Sequence, residues 1–264
     1  MSTEQIAAAQ AYVDALSTGD KQKAQSASPH LADDVTLKFG PREFAGHDDV
    51  LARITGVWPM TPVYRKNTWP APTDAGDHVA VDAPMAAVGA GPTEVHLKFW
   101  FNDAGKISRV EQENVIGTPL VETDKLPEFV KSRVNGALAN DTPIMVAYVD
   151  EEGRPHTSLR GSVQAYSETQ LSIWARASTT GIAVAVGSNP NVELLYRDNP
   201  TRSTLIFKGK ARVEPDEAIR KRIFEDSPEV EQNHESWANG AAIIIDLSEV
   251  GGATPDGRVR MKVS

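Results

Sequence analysis

The stretch GTPLVETDKLP, residues 117–127, does most to limit what this chain can become. It holds two prolines and several polar side chains, and no hydrophobic period persists through it, so no helix or buried strand is expected to cross it. The break falls near the middle of 264 residues, a length with room for two ordinary domains. We read 118–124 as a linker between a unit spanning 1–117 and a unit spanning 125–264. A surface loop inside one larger domain is the other reading.

The two halves carry different patterns. In the first, Ile6, Ala9, Tyr12, Val13 and Leu16 recur at helical spacing, and Ser17-Thr18-Gly19-Asp20 ends the run. A second helical stretch leads into HLADDVTLKFG, where the pattern turns to a strand. EFAGHDDVLARITGVWP reads as a loop and a short helix, with Asp48 or Asp49 at its start, Val50, Leu51 and Ile54 on its apolar side, and Pro59 at its end. Extended segments follow: TPVYRKNTWPA, HVAVDAPMAAV and TEVHLKFWFNDAGKISRVEQENV. In the last of these, Asn102-Asp103-Ala104-Gly105 predicts a hairpin turn between Val95-Leu97-Phe99-Phe101 and Ile107-Val110. This half reads as helices first and a curved antiparallel sheet after.

The second half opens with a helix. Leu126, Phe129, Val130, Val134 and Leu138 line one face, and Thr123 or Asp124 caps it. Strands are expected at Ile144–Val149, His156–Val163 and Leu171–Ala175, with turns at Asp150-Glu151-Glu152-Gly153 and Ser167-Glu168-Thr169. VELLYRD and STLIFKGKARVE add two more strands around a polar loop, Asp198–Arg202. PDEAIRKRIFED is a helix with proline at its first position and acids in its first turn. AAIIIDLSEVGGATPDGRVRMKV supplies one long strand and a polar end. About six strands with few helices predict a small barrel.

Charge and composition exclude several classes. A formal net charge of −9 disfavours nonspecific nucleic-acid binding and anionic membrane surfaces. With no cysteine, there is no disulfide, thiolate metal site or cysteine nucleophile. The first twenty residues lack a basic region followed by an apolar core, and no run approaches the roughly 20 apolar residues of a membrane span. We therefore expect a cytoplasmic, soluble protein that binds neither nucleic acid nor membrane.

Few motifs carry chemistry. The six histidines, His30, His47, His78, His96, His156 and His234, show no short metal-ligand spacing, and no metal is expected. His47-Asp48-Asp49 sits where a helix begins, and capping accounts for it. His96 alternates with Val95 and Leu97. It would face a pocket together with Glu111 or Glu113 only if these polar positions point inward, which would make an acid–base pair. Arg220, Lys221 and Arg222 read as a solvated helix face. There is no G-x-S-x-G, P-loop or G-x-G-x-x-G, and GAG at 89–91 is too short to count. The stretch SIWARASTTGIAVAVGSNP, 172–190, admits two readings. Ser178-Thr179-Thr180 either cap a short helix or hold a phosphate.

Two resemblances order these signals. VDEEGRPHTSLRGSVQAY, LSIWARASTTGIAVAVGSNPNVELLYRD and TLIFKGKARV, in that order, resemble the pyridoxamine 5′-phosphate oxidase-like, FMN-binding split-barrel family over roughly residues 125–250. The opening helix, LADDVTLKFG, EFAGHDDVLARI and LKFWFNDAGKISRVEQ resemble the nuclear-transport-factor-2-like superfamily, called SnoaL-like in bacteria, over about residues 1–117. The implied fold is α+β: an N-terminal cone of helices and curved antiparallel sheet, then an FMN-binding split β-barrel.

The first resemblance implies a flavin site. Ser158, Leu159 and Arg160 match the strand facing the ring and ribityl chain, and Trp174 and Ala175 match the strand bordering the ring. Arg176, Ser178, Thr179 and Thr180 match the phosphate loop. Thr204 matches a polar residue supplied near the flavin by the partner subunit. The loop departs from the family's Ser-Arg-Lys clamp: Ser178-Thr179-Thr180-Gly181 has no lysine, which leaves the charge to Arg176 and Arg160. A deazaflavin, haem or no cofactor are the alternatives to FMN. The resemblance implies a homodimer with flavin at the subunit interface and an FMN-dependent oxidoreductase acting on a small molecule, with no catalytic residue assigned. A non-catalytic binding protein, or an isomerase or cyclase in the first unit beside a degenerate barrel, are the rival functions.

Overall fold

A computed structural model describes residues 1–18, 20–56, 64–65, 67–85, 91–234 and 236–263. They divide into two compact units, Met1–Gly117 and Thr118–Ser264. Both mix helices with extensive sheet.

The first unit begins with helices α1 (Thr3–Thr18) and α2 (Lys21–Ala24) and a 3-10 turn (Gln25–His30). Strands β1 (Leu31–Phe39) and β2 (Arg42–Ala45) precede helix α3 (His47–Thr55). Strands β3 (Thr73–Asp74), β4 (Val79–Pro84), β5 (Glu94–Phe101) and β6 (Ile107–Val115) complete it. The sheet order is β2-β1-β6-β5-β4-β3. Its pairs are antiparallel except β1 with β6, which run parallel. Alternation along β5 sends Val95, Leu97 and Phe99 into the core, where Ala9, Tyr12, Val13 and Leu16 of α1 are buried. The hairpin at Asn102–Gly105 forms as its residues predict: the Asn102 side chain accepts from the N–H groups of Ala104 and Lys106. Two expectations change. Helix α3 starts from Gly46, at φ +93, rather than from Asp48 or Asp49. Tyr64 and Arg65 are helical rather than extended. Gly19, Pro59, the residues 61–63 and 66, and the start of GAG at 89–90 lie outside the described residues.

In the second unit, β7 (Leu120–Thr123) comes first, so the stretch read as a linker is in part a strand. Helix α4 (Glu128–Asn135), a 3-10 turn (Leu138–Asn140) and strands β8 (Ile144–Val149), β9 (Pro155–Arg160), β10 (Gln164–Ala165) and β11 (Gln170–Ala175) follow. Then come α5 (Ile182–Ser188), β12 (Asn191–Asp198), β13 (Ser203–Val213), α6 (Glu217–Asp226), α7 (Glu229–Gln232), β14 (Ala241–Thr254) and β15 (Gly257–Lys262). The described sheet has nine strands, not about six, because β7, the short β10 and the polar end β15 all join it. Helix α4 is entered through Pro127 with no side-chain cap from Thr123 or Asp124. Pro215 lies one residue before the Asp216 that caps α6.

Topology forces this sheet to curl. Its main path runs β10-β11-β14-β13-β12-β8-β9, so β9 and β10 are opposite edges. Laid flat, seven strands would separate those edges by about 29 Å. Yet only residues 161–163 connect β9 to β10, and such a link reaches about 14 Å. The edges therefore approach without pairing, and the sheet closes into a barrel with a split. Leu194, Tyr196, Leu205, Phe207, Ile243 and Ile245 fill its core. The run AAIIID of β14 is apolar on both faces because both are covered: Ala242 and Ile244 meet Trp174 and Ile223 of α6 on the outside. Among the described residues no helix is long and apolar enough to cross a membrane.

Candidate functional site

The β8–β9 hairpin supplies one wall of a cleft. Its turn closes on Gly153 at φ +79, a backbone state that suits glycine. The Asp150 carboxylate organises the rest. It accepts from the Arg154 N–H at 2.8 Å, from Arg154 Nε at 2.8 Å and from His156 Nε2 at 2.7 Å. Burial alone would raise the Asp150 pKa, but the hydrogen bonds from His156 and Arg154 outweigh it and hold the carboxyl well below the usual carboxylate range. Tyr148 and His156 are register partners, and their rings stack 5.3 Å apart at 12°.

The other wall is the loop between β11 and α5, with the first turns of α5. Thr179, Thr180, Gly181, Val184 and Ala185 face the hairpin across a cleft of 320 Å³. The hairpin contributes Asp150, Glu151 and Glu152 to its lining against one guanidinium, that of Arg154.

Of the ten residues expected around a flavin, Thr179 and Thr180 line this cleft, and Thr204 is expected to serve the partner subunit's site. Ser158 and Arg160 share the barrel-facing side of β9, since their partners Val146 and Ile144 are core residues. Arg160 Nε donates to Ser158 Oγ at 3.1 Å and makes no ion pair among the described residues. Leu159 points the other way and is 64% exposed. Trp174 is 1% exposed and packs edge-on against Phe224 of α6. Ala175 is buried in the barrel core. Thr204 lies on the outer face of β13, where Arg197 Nη1 donates to its hydroxyl at 2.6 Å.

Two groups of the loop already have partners within the chain. Arg176 is committed: its Nη2 donates to Glu231 Oε2 at 2.8 Å and its Nε to the same oxygen at 3.2 Å. The Ser178 N–H donates to the Asn239 carbonyl at 3.0 Å. Helix α5 has seven residues, so its dipole is small, and no lysine stands in the loop. Nor do Ser178, Thr179 or Thr180 cap α5, whose N-cap is Gly181 at φ +58 with no side-chain hydrogen bond. Of the two jobs their sequence offered, the serine and threonines do not do the capping, and Thr179 and Thr180 line the cleft. Sequence reasoning missed Tyr148, Asp150, Arg154 and His156 as cleft residues, although the strand alternation that pairs Tyr148 with His156 was available.

No family model and no curated protein matches the chain. Solved structures do. HupZ of Group A Streptococcus is 16% identical, with a TM-score of 0.40, over 48% of this chain and 93% of that one. A putative pyridoxamine 5′-phosphate oxidase from Lactobacillus delbrueckii is 20% identical, TM-score 0.37, over 48% of this chain and 93% of that one. A protein of Clostridium acetobutylicum related to general stress protein 26, of the pyridoxinephosphate oxidase family, is 13% identical, TM-score 0.40, over 52% of this chain and 97% of that one. These neighbours are pyridoxamine 5′-phosphate oxidase-like proteins over about half the chain, and a likeness this distant speaks to neither activity nor substrate.

The charged side chains of the first unit's hairpin face outward. His96 is on the face of β5 opposite Val95 and Leu97, with Nδ1 2.7 Å from Asp82 Oδ1. Its partner Glu113 and the neighbouring Glu111 share that outer face, so no acid–base pair points into the core. The interior polar group is a different one. The Tyr64 hydroxyl accepts from Asn114 Nδ2 at 2.6 Å and from Gln112 Nε2 at 3.3 Å. The signal was legible: Val110, Gln112 and Asn114 alternate onto one face, so two amides replace apolar residues there. Among the described residues no histidine or carboxylate group is arranged to hold a metal.

Proposed function

We propose that the second unit binds a planar ring of the flavin class in the cleft between the β8–β9 hairpin and Thr179–Gly181, and that the chain is a flavin-dependent oxidoreductase acting on a small molecule. The observation that carries this is the stacked Tyr148–His156 pair on one wall, with the methyl-bearing Thr179, Thr180, Val184 and Ala185 on the other. A flat aromatic ring matches such a slot, and hydroxyls at its rim suit a ring's polar edge. A bound flavin supplies two-electron chemistry; the residues of this chain position it and exclude water.

The reading includes a homodimer. One row of register partners crosses the outer face of the barrel: Leu159, Met145, Leu195, Ile206 and Gly251. Leu159, Met145 and Ile206 are 64%, 39% and 39% exposed, an apolar stripe suited to a second copy. Thr204 lies on this face, away from its own chain's cleft, so it reaches a ligand only across such an interface. Leu159→Glu with Ile206→Glu is expected to give a monomer by analytical ultracentrifugation.

A non-catalytic carrier is the second reading, favoured by the Asp150–His156 pair being engaged within the protein rather than aimed at a substrate. The visible spectrum separates the two. Protein incubated with flavin and freed of excess is expected to show oxidised-flavin bands that bleach with a reduced nicotinamide. Bands that never bleach favour the carrier, and a colourless protein with no affinity for flavin overturns the proposal.

A further inference from the structure

We propose that Ser28, His47 and Asp48 of the first unit form an activated nucleophile, and that this unit transfers acyl groups from small esters to water through Ser28. The site owes nothing to the ring cleft of the second unit.

The structure leaves these side chains free of capping. Helix α3 starts from Gly46 with no side-chain cap, so the Asp48 carboxylate does not serve the helix start. It serves the neighbouring imidazole: His47 Nδ1 lies 2.9 Å from Asp48 Oδ1. A carboxylate only accepts, so Nδ1 carries the proton and the neutral ring leaves Nε2 as an acceptor. Ser28 Oγ, in the 3-10 turn, lies 3.0 Å from that Nε2 and donates its hydroxyl proton to it. Serine, histidine and carboxylate are thus joined in the order that acyl transfer needs. The Ser28 carbonyl, 3.2 Å from the same Nε2, adds a second feature. It cannot bond the neutral ring there, because both atoms are acceptors. It accepts once Nε2 is protonated, so a partner awaits the imidazolium that forms when Ser28 loses its proton. The Asp48 hydrogen bond, helped by the Ser28 carbonyl and the charge of Asp33 on β1, holds the imidazole pKa above its ordinary value against desolvation.

In the reaction, Ser28 Oγ bonds to the ester carbonyl carbon as its proton passes to His47 Nε2. The bond to the alcohol or thiol breaks, and Nε2 gives the proton to the departing oxygen or sulfur. Water then attacks the acyl carbon with Nε2 as base, and the acid leaves as Oγ takes the proton back. Ser28 and His47 are both only partly buried, so a small ester can reach them. Asp33, Asp48 and Asp49 line an open hollow with His47, and no lysine or arginine among the described residues joins that lining. An ester carrying a positive charge is therefore favoured over an anionic one.

A fluorophosphonate tests the nucleophile. The full chain is incubated with it, and the modified residue is located by peptide mass spectrometry. Ser28 is expected to be modified, and Ser28→Ala to stay unmodified. His47→Gln is expected to slow modification by at least about tenfold. Asp48 acts through His47 as a positioning residue. Modification is expected to rise with pH as His47 loses its proton, and Asp48→Asn to move that midpoint to lower pH. Thioester hydrolysis gives a second readout, free of background because the chain has no cysteine. Acetylthiocholine is expected to turn over about threefold faster, or more, than acetylthioglycolate. An unmodified Ser28, or an unchanged rate in His47→Gln, overturns the nucleophile and leaves these contacts as a tie between α3 and the 3-10 turn. Equal turnover of the two thioesters overturns the preference for a cation. If His47→Gln does not fold, the pH midpoints of wild type and Asp48→Asn decide.

Discussion

The two units bury polar side chains to different ends. In the second, buried polar groups mostly close local backbone. Ser162 Oγ donates to the Trp174 carbonyl, Ser227 Oγ to the Ile223 carbonyl and Thr254 Oγ1 to the Gly257 carbonyl. In the first, Tyr64, Gln112 and Asn114 bond side chain to side chain, joining strand β6 to a segment about fifty residues away. Apart from the long-range Arg176–Glu231 pair, the second unit uses polarity largely to finish turns and strand ends. The other uses it to specify which segment lies against its sheet. The second unit's interior should then tolerate polar loss and fail on volume, while the first unit's interior should respond to single atoms.

The largest expected effect tests the volume side. Trp174 is buried beneath α6 with Phe224, Ile223 and Ile244. Trp174→Ala should cost about 3–5 kcal/mol by urea unfolding of the second unit. Gly240→Ala should do comparable harm, because its Cβ would sit 2.2 Å from the Trp174 ring. A Trp174→Ala protein of unchanged stability but weakened flavin binding would place Trp174 at the ligand site.

The next effects test the atom side, and they pair one substitution at two tyrosines of one core. Tyr64→Phe removes the hydroxyl that accepts from Asn114 Nδ2 and from Gln112 Nε2, the latter keeping its bond to Asn114 Oδ1, and should destabilise the first unit by about 1–3 kcal/mol. The Tyr12 hydroxyl is fully buried with no hydrogen-bond partner among the described residues, and burial pushes its pKa up. Tyr12→Phe should leave stability unchanged or raise it by up to about 1 kcal/mol. Equal losses at both positions in thermal unfolding would mean that packing, not hydrogen bonding, governs that core.

These contrasts also show what was legible in the sequence. Strands read from alternation, such as β8, β11 and β12, stand where they were expected, since period two survives any tertiary context that covers one face. The missed strands β7 and β15 are short or polar; β15 pairs with β14, and β7 exists because it pairs with β15, well over 100 residues away in the chain, a partner no local pattern reveals. The site was harder still. Ser158 and Leu159 are neighbours in sequence and therefore opposite in space. Arg176 looked available because Glu231, its partner, lies 55 residues on, in a short helix that local pattern does not tie to this loop. Charge at a site is a sum over space, and a sequence lists only one term at a time.

The smallest expected effect concerns the hairpin wall of the cleft, and pH sharpens it. Asp150 is ionised and bonded to His156 and Arg154 in the folded state, so its folded pKa lies below its unfolded one. Such a group contributes stability that is fully present above the ordinary carboxylate pKa of about 3.9. The contribution fades as pH falls from there through the depressed folded value, where both states bind the proton. Asp150→Asn should therefore lower the melting temperature of the second unit modestly at pH 7, and the gap to wild type should shrink at pH 3. The substitution keeps shape and removes charge, so a gap independent of pH would assign the loss to geometry of the turn. A gap that widens in acid would reverse the sign of the shift and remove Asp150 as the organiser of the hairpin wall.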